Sequence, residues 1–434
     1  MLYSNALSLK RFFRRVFNSY YYFYFFVMVL FAARAVPVTG SMVYYTGNII
    51  SFIFPILLTF ILLLKYPISF KNRNLNIVIC IITFWFLAQY IKYGELNISL
   101  TIYLYYGIII AYIHIRVYGK NIIYLYEDVV AHLSAISLVG WVVQIIAPKL
   151  IHLLMIFPSN TGTISGSCLF YSEGRDYETA ILFFRNAGFS WEPGMFASLV
   201  VIALFFNAFI NHFKFKGNKK FYILLVALAT SQSTTGYGVL ISLGCIIYLL
   251  NYRSQYKFII AVMIVSMSVA VYNLPIMGEK IKDLWVNDVQ ETKERLYEVQ
   301  GYYQEALALT RFESLAMETY NIRHDPILGY GRDNTNSYVE KELKLNVGLP
   351  NGLFKVIAKY GCILGLLFYL CLFTSSQWMA REFKYKGTIL FFIAYCMISV
   401  SYSFVESPIF IAFLFFPLFL KEKNIYAVKS NCIC

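Results

Sequence analysis

Three stretches of this chain keep polar residue types that its otherwise apolar sequence avoids. The first, FRNAGFSWEPGM at 184–195, sets Arg185 and Glu192 just ahead of a proline and an apolar run. Pro193 and Gly194 suit a helix start, because the N–H that proline lacks would have no partner in a first turn. That geometry puts Glu192 at a helix N-terminus, where partial positive charge favours a carboxylate. Arg185 lies close enough in sequence to turn back over the same mouth. A plain reading makes Glu192 a cap and Arg185 an interfacial cation; a chemical reading makes them a pair of opposite charge at the edge of a site.

The second stretch, TRFESLAMETYNIRHDPILGYGRDNTNSY at 310–338, holds Arg311, Arg323 and Arg332. A planar guanidinium suits phosphate oxygens through paired hydrogen bonds, so an anionic ligand is one reading. The other is that Glu305, Glu313, Glu318, Asp325 and Asp333 pair with these arginines. His324 beside Asp325 has the makings of a base, although a loop histidine is more often simply solvated. DPILGYG reads as a turn, with Pro326 stopping a helix and Gly329 and Gly331 allowing positive φ. The third stretch, GLPNGLFKVIAKYG at 348–361, places Asn351, Lys355 and Lys359 about one turn apart on one helical face; lysines at such a position commonly snorkel. Between two further apolar runs, TSQSTTGYG at 230–238 supplies hydroxyls, for which satisfying a tight turn is the leading role.

These residues need elements to hold them. With 59% hydrophobic and 14% charged residues over 434 positions, the chain departs from soluble usage, where about a quarter of residues are charged. The composition describes an all-α polytopic integral membrane protein, because lipid accepts apolar side chains on every outward face while backbone polar groups must be paired within helices. Runs near the ~20 apolar residues that cross a bilayer occur at 17–37, 48–64, 76–92, 98–115, 128–147, 194–211, 220–233, 236–250, 257–274, 352–377, 387–404 and 407–420. That predicts about twelve spans, the seventh and twelfth being short. The first, with basic residues before YYYFYFFVMVLFAARAV, is too long and bulky for a cleaved signal and reads as a retained span.

Clusters at Lys10–Arg15, Lys65–Arg73, Arg116–Lys120, Lys214–Lys220, Arg253–Lys257, Arg381–Lys386 and Lys421–Lys429 all fall on one side of these runs. The positive-inside rule therefore places both termini in the cytoplasm, and the formal charge of +14 reads as a topology signal. It does not mark a nucleic-acid surface, since no basic stripe interleaved with aromatics lies on a soluble segment. Two long loops, 148–193 and 275–351, then lie outside the cytoplasm, and long loops concentrate binding and catalysis. The first opens on PKLIHLLMIFP, suited to an interfacial helix; the second has helical apolar spacing at Ile281, Leu284, Trp285, Leu296, Val299, Tyr303 and Leu307. Of eight cysteines only Cys168 falls in an outer loop, so no internal disulfide framework is expected. The chain has no Asp-x-Asp pair, His-Glu-x-x-His or Walker loop, and of five histidines only His152 and His324 lie outside, which argues against a metal cage.

Taken together, RNAGFSWEPGMFA (185–197), SQSTTG (231–236), Arg311 followed by HDPILGYG (324–331), and NGLFKVIAKYGCILGLL (351–367) resemble segments of the O-antigen polymerase and ligase superfamily. The resemblance covers the central and C-terminal two thirds of the chain. It implies a membrane glycosyltransferase of the bacterial inner membrane that uses undecaprenyl-diphosphate-linked oligosaccharides, with neither nucleotide sugar, metal nor other cofactor. Arg185 and Arg311 match the family's arginines and would clamp the departing diphosphate, where negative charge grows in the transition state. Glu192 would take the acceptor hydroxyl's proton, although a helix N-terminus depresses its basicity. Arg332, Asn336, Asn351, Lys355 and His324 are the expected substrate contacts. Ligases of the superfamily carry a histidine late in the second loop where this chain has Asn336 or Asn351, which tilts the expectation toward a repeat-unit polymerase. A ligase, or a lipid-linked oligosaccharide flippase or other transporter, is the alternative. A transporter would bury charge at the midplane in matched halves, and this chain keeps its ionisable residues at the outer rim. A flippase and a chain-length regulator are the implied partners.

Overall fold

The computed structural model describes residues 20–35, 49–94, 98–153, 167–168, 170–174, 185–190, 192–251, 262, 307–309, 311–331, 334–345, 347–348, 351–385, 387–400 and 407–420. Among them the helices are α1 (Tyr20–Ala32), α2 (Ile49–Lys65), α3 (Arg73–Tyr93), α4 (Ile98–Tyr118), α5 (Asn121–Ile146), α6 (Pro148–Leu153), α7 (Pro193–Ile210), α8 (Lys219–Ser231), α9 (Thr234–Asn251), α10 (Arg311–His324), α11 (Tyr338–Lys341), α12 (Gly352–Glu382), α13 (Leu390–Ser399), α14 (Pro408–Leu414) and α15 (Phe416–Phe419). The chain is thus a mostly helical protein, and α3, α5, α7 and α12 are long and apolar enough to cross a membrane. The expected ninth run at 257–274 and the amphipathic stretch from Ile281 to Tyr303 lie outside the described residues, Val262 excepted.

Caps explain where the helices begin and end. The Asn72 side chain accepts from the Asn74 and Leu75 amides at the start of α3, and Gly94 closes that helix at φ 72°. Asn218 caps α8 through the Phe221 amide, and Asn351 caps α12 through that of Phe354. Each side chain satisfies an amide that the first turn would otherwise leave unpaired.

The core centres on α7, whose side chains are buried almost throughout because α5, α8, α9 and α13 surround it. By contrast α3 buries one stripe and turns Ile77, Ile81, Phe84, Leu87 and Ile91 outward. A helix apolar all round belongs among other helices or in lipid; α7 is in the first situation, and the outward face of α3 suits the second. Close ring packing, such as Phe209 on Tyr385 at 4.0 Å and Tyr126 on Phe413 at 5.3 Å, supplies the dispersion that holds helices together where lipid removes the hydrophobic drive between them.

Polar contacts sort the helix ends. Lys120 before α5 pairs with Glu382 at the finish of α12, 2.7 Å apart. Lys220 at the start of α8 reaches Glu127 in the second turn of α5 at 2.6 Å, and Asn74 at the start of α3 donates to the Leu418 carbonyl. At the opposite end Lys92 pairs with Asp325, and Gln89 donates to the Leu328 and Lys359 carbonyls. Hence α3, α5 and α8 finish, and α7, α9 and α12 begin, at one end, which carries both long loops. Short strands occur there. Strands β1 (Ser167–Cys168), β2 (Tyr171–Gly174) and β3 (Arg185–Asn186) form an antiparallel sheet, with Gly174 opposite Arg185. Strands β4 (Leu307–Ala308) and β5 (Val347–Gly348) pair in parallel. Strands of two to four residues are too short for a periodicity to be detected, so nothing in the sequence announces them.

Candidate functional site

At the loop-bearing end Arg185 is placed by β3 and by its neighbour. Asn186 is fully buried; its amide donates to Thr230 Oγ1 at 2.9 Å and its oxygen accepts from the Gly188 amide at 2.9 Å. Gly188 has φ +59°, and a Cβ there would sit 2.4 Å from the Phe196 ring, so the turn in RNAGF requires glycine. Held this way, Arg185 donates through Nη2 to the Gln232 carbonyl at 3.2 Å and through Nε to that of Ser231 at 3.4 Å. Those carbonyls end α8, where Gln232 turns left-handed at φ 49°. Helix C-terminal carbonyls carry partial negative charge, so the guanidinium is anchored at the α8–α9 junction. Ser231 and Ser233 serve that junction: Ser231 Oγ donates to the Leu228 carbonyl and Ser233 Oγ accepts from the Gly236 amide.

Glu192 is the half-buried N-cap residue of α7, with Pro193 in the first turn and extended φ −146°, ψ 154°. Its side chain makes no capping bond to the helix amides. The carboxylate therefore stands at the positive end of α7, the most buried of the four long apolar helices, without capping it.

The second group of polar residues lies between α10 and α12. Arg311, Ser314, Glu318 and Asn321 recur at helical spacing on α10; Arg311 is described by its backbone alone. Ser314 and Glu318 are fully buried and Asn321 nearly so. Ser314 Oγ accepts from the Asn351 amide at 3.0 Å. One carboxylate oxygen of Glu318 accepts from Asn321 Nδ2 at 3.0 Å, while Oε1 has no hydrogen-bond partner among the described residues. Burial pushes the Glu318 carboxyl above its ordinary value, opposed by the Asn321 bond and by the positive charges of Lys355 and Lys359 on α12.

What joins these helices is the loop DPILGYG. Gly361 breaks α12 at φ 74°, ψ 168°, so three backbone groups of that helix lose their usual partners, and the loop replaces them. Tyr330 N–H donates to the Ala358 carbonyl at 2.9 Å, Gly331 N–H to that of Lys359 at 3.0 Å, and Cys362 N–H to that of Pro326 at 2.7 Å. The backbones approach so closely that a Cβ on Gly361 would lie 1.8 Å from the Ile327 carbonyl oxygen. From α3, Tyr93 OH donates to the Gly329 carbonyl at 2.7 Å.

Of the residues singled out by sequence, Lys355 is half-buried beside Glu318. Asn351 is fully buried with its amide oxygen committed to the α12 cap, a framework position at the foot of the site. His324, exposed at the end of α10, stacks on Tyr338 with centroids 3.5 Å apart, while its neighbour Asp325 pairs with Lys92. Asn336 is half-buried in the 3-10 turn Asn334–Asn336. Arg332 lies outside the described residues. Glu318 was weighed only as an arginine's partner; the signal that singles it out is the polar face of α10 meeting the Lys355–Lys359 face of α12. No protein-family model, curated protein or solved structure matches the chain, so the resemblance rests on the residues themselves.

Proposed function

We propose that this protein is a membrane glycosyltransferase of the bacterial inner membrane that polymerises undecaprenyl-diphosphate-linked oligosaccharide repeat units into a surface polysaccharide. The loop-bearing end is then the extracytoplasmic end, as the distribution of lysine and arginine requires. The observation that carries the reading is Arg185, fixed by two carbonyls at the α8–α9 junction, because a guanidinium placed in advance costs no reorganisation when charge develops.

In the proposed step an acceptor hydroxyl oxygen attacks the anomeric carbon of the donor sugar with inversion. The bond from that carbon to the lipid diphosphate breaks, and the diphosphate leaves with the electron pair, met by Arg185 and Arg311. The hydroxyl proton passes to Glu192 at the N-terminus of α7. Lys355, at the start of α12 beside Glu318, and Arg332, Asn336 and His324 belong to the substrate-binding surroundings, with Asn351 holding the start of α12 beneath them. A flippase supplying donors and a chain-length regulator are the partners this role entails.

Arg311→Ala is expected to abolish polymer while leaving protein abundance intact, read as the loss of the saccharide ladder from cell-envelope extracts. Arg185→Lys is expected to fail as well, since a point charge does not reproduce a two-pronged clamp. Normal ladders from both variants would remove the reading. Single repeat units left on the acceptor mark a lost polymerase, whereas polymer retained on the carrier lipid would mark a ligase.

A further inference from the structure

The opposite end of α3 carries a feature unrelated to that chemistry. A groove of about 550 Å³ is lined by Lys71, Asn72, Arg73, Asn76, Ile77 and Cys80, with Ile81 beyond. Asn72 is committed to the helix cap, but among the described residues no carboxylate pairs with Lys71 or Arg73, and the Asn76 side chain has no hydrogen-bond partner. Three cations at other helix ends are answered from within the protein: Lys92 by Asp325, Lys120 by Glu382, and Lys220 by Glu127 and Asp128.

Below these donors the groove continues into the outward apolar stripe of α3. Arg73, Ile77, Cys80, Ile81 and Phe84 share one helical face, and Ile77, Ile81 and Phe84 are exposed. Donors for a phosphate ester therefore stand directly above a track for hydrocarbon, at a spacing of one to three helical turns. A soluble anion would use the first part only, and a neutral lipid only the second.

We propose that this groove binds one anionic glycerophospholipid of the leaflet at that end of the bundle, its phosphate held by Lys71, Arg73 and Asn76 and an acyl chain lying along Ile77, Ile81 and Phe84. The phosphate is recognised by two positive charges and a carboxamide donor, and the chain buries apolar surface that the protein leaves uncovered.

Cys80 is exposed on the groove wall and reports occupancy. The full chain in neutral detergent is titrated with phosphatidylglycerol, phosphatidylcholine or inorganic phosphate, and alkylation is followed peptide by peptide, with Cys362 and Cys371 on α12 as internal references. Phosphatidylglycerol is expected to slow Cys80 alkylation several-fold without slowing the references, and the other two additives are not. The paired substitution Lys71→Gln with Arg73→Gln should remove the protection, and Lys71→Arg with Arg73→Lys should keep it, each variant retaining the wild-type melting temperature. Equal protection by phosphatidylcholine would reduce the site to hydrocarbon contact, and protection by phosphate alone would make it an adventitious ion only. Absence of protection, or protection surviving the glutamine pair, would likewise overturn the proposal.

Discussion

Two buried carboxylates at opposite ends of the bundle are treated differently. Glu127 on α5 has both oxygens engaged, Oε1 accepting from Asn207 Nδ2 at 2.7 Å and Oε2 from Lys220 Nζ at 2.6 Å. The network closes through Asn218, whose amide donates to Asn207 Oδ1, so α5, α7 and α8 are tied by one set of satisfied bonds. Glu318 on α10 is at least as deeply buried yet has one oxygen without a partner among the described residues. A satisfied polar network fixes a packing arrangement, whereas an unsatisfied buried acceptor costs about 1–3 kcal/mol and calls for a reason other than stability. The contrast is between one carboxylate whose bonds hold three helices together and one that keeps an acceptor unspent among the described residues.

The largest effect expected on this comparison comes from the joint that holds α10 against α12. Gly361→Ala places a methyl carbon 1.8 Å from the Ile327 carbonyl oxygen, deep inside van der Waals contact, at a left-handed φ, and the loop must leave the helix break. The backbone conformation alone costs about 1–3 kcal/mol, with the clash in addition. Limited proteolysis should then cut between His324 and Gly331 at least ten times faster than in the native chain, while the Glu127 network stays intact. If cleavage is unchanged, the loop is not what clamps the two helices.

Glu127→Ala should come next, because it leaves the buried Asn207 amide only its long 3.4 Å bond to Asn218 Oδ1 and deprives Lys220 of one of its two carboxylates. A loss of about 1–3 kcal/mol is expected, seen as a lower melting temperature in detergent, with the α10–α12 joint unaffected. A neutral result would show that the inner network is ornamental and would erase the contrast.

Glu318→Gln gives the smallest shift and the sharpest test. Burial raises the folded-state carboxyl above its ordinary value of 4.5, so the native state holds this proton more tightly than the unfolded chain. Its contribution to stability is complete below pH 4.5 and is lost as pH rises through the folded value. Glutamine cannot ionise, so the variant should gain on the native protein as pH climbs from 4.5 toward neutrality, read as a widening difference in melting temperature. A difference independent of pH would mean that Glu318 does not titrate with folding.

Much of the framework was readable before any coordinates. The apolar runs at 76–92, 194–211 and 236–250 correspond to α3, α7 and α9 within a few residues, because helix length and hydropathy are properties of contiguous sequence. Pro193 announced the start of α7, and DPILGYG announced a turn. Other features were hidden. The run at 128–147 begins late by a full turn or more, since α5 starts at Asn121 in a segment whose Glu127 and Asp128 look unsuited to a span until Asn207 and Lys220 are seen to meet them. Likewise Asn351 looked like a ligand and is a cap, because spacing reports which face a residue occupies but not what fills the space beside it.

By itself the sequence determined that the chain is helical and apolar enough for lipid, where its polar residues are concentrated, and which helix ends carry positive charge. Those follow from side-chain transfer energies and local backbone preferences, which act over a few residues at a time. Only the tertiary structure decided that Arg185 braces the end of α8, that the turn at 325–331 fills a break in α12, and that Glu318 retains an unused oxygen. These depend on contacts between positions tens to hundreds of residues apart, where the partner of each polar group is chosen by the packing of whole helices.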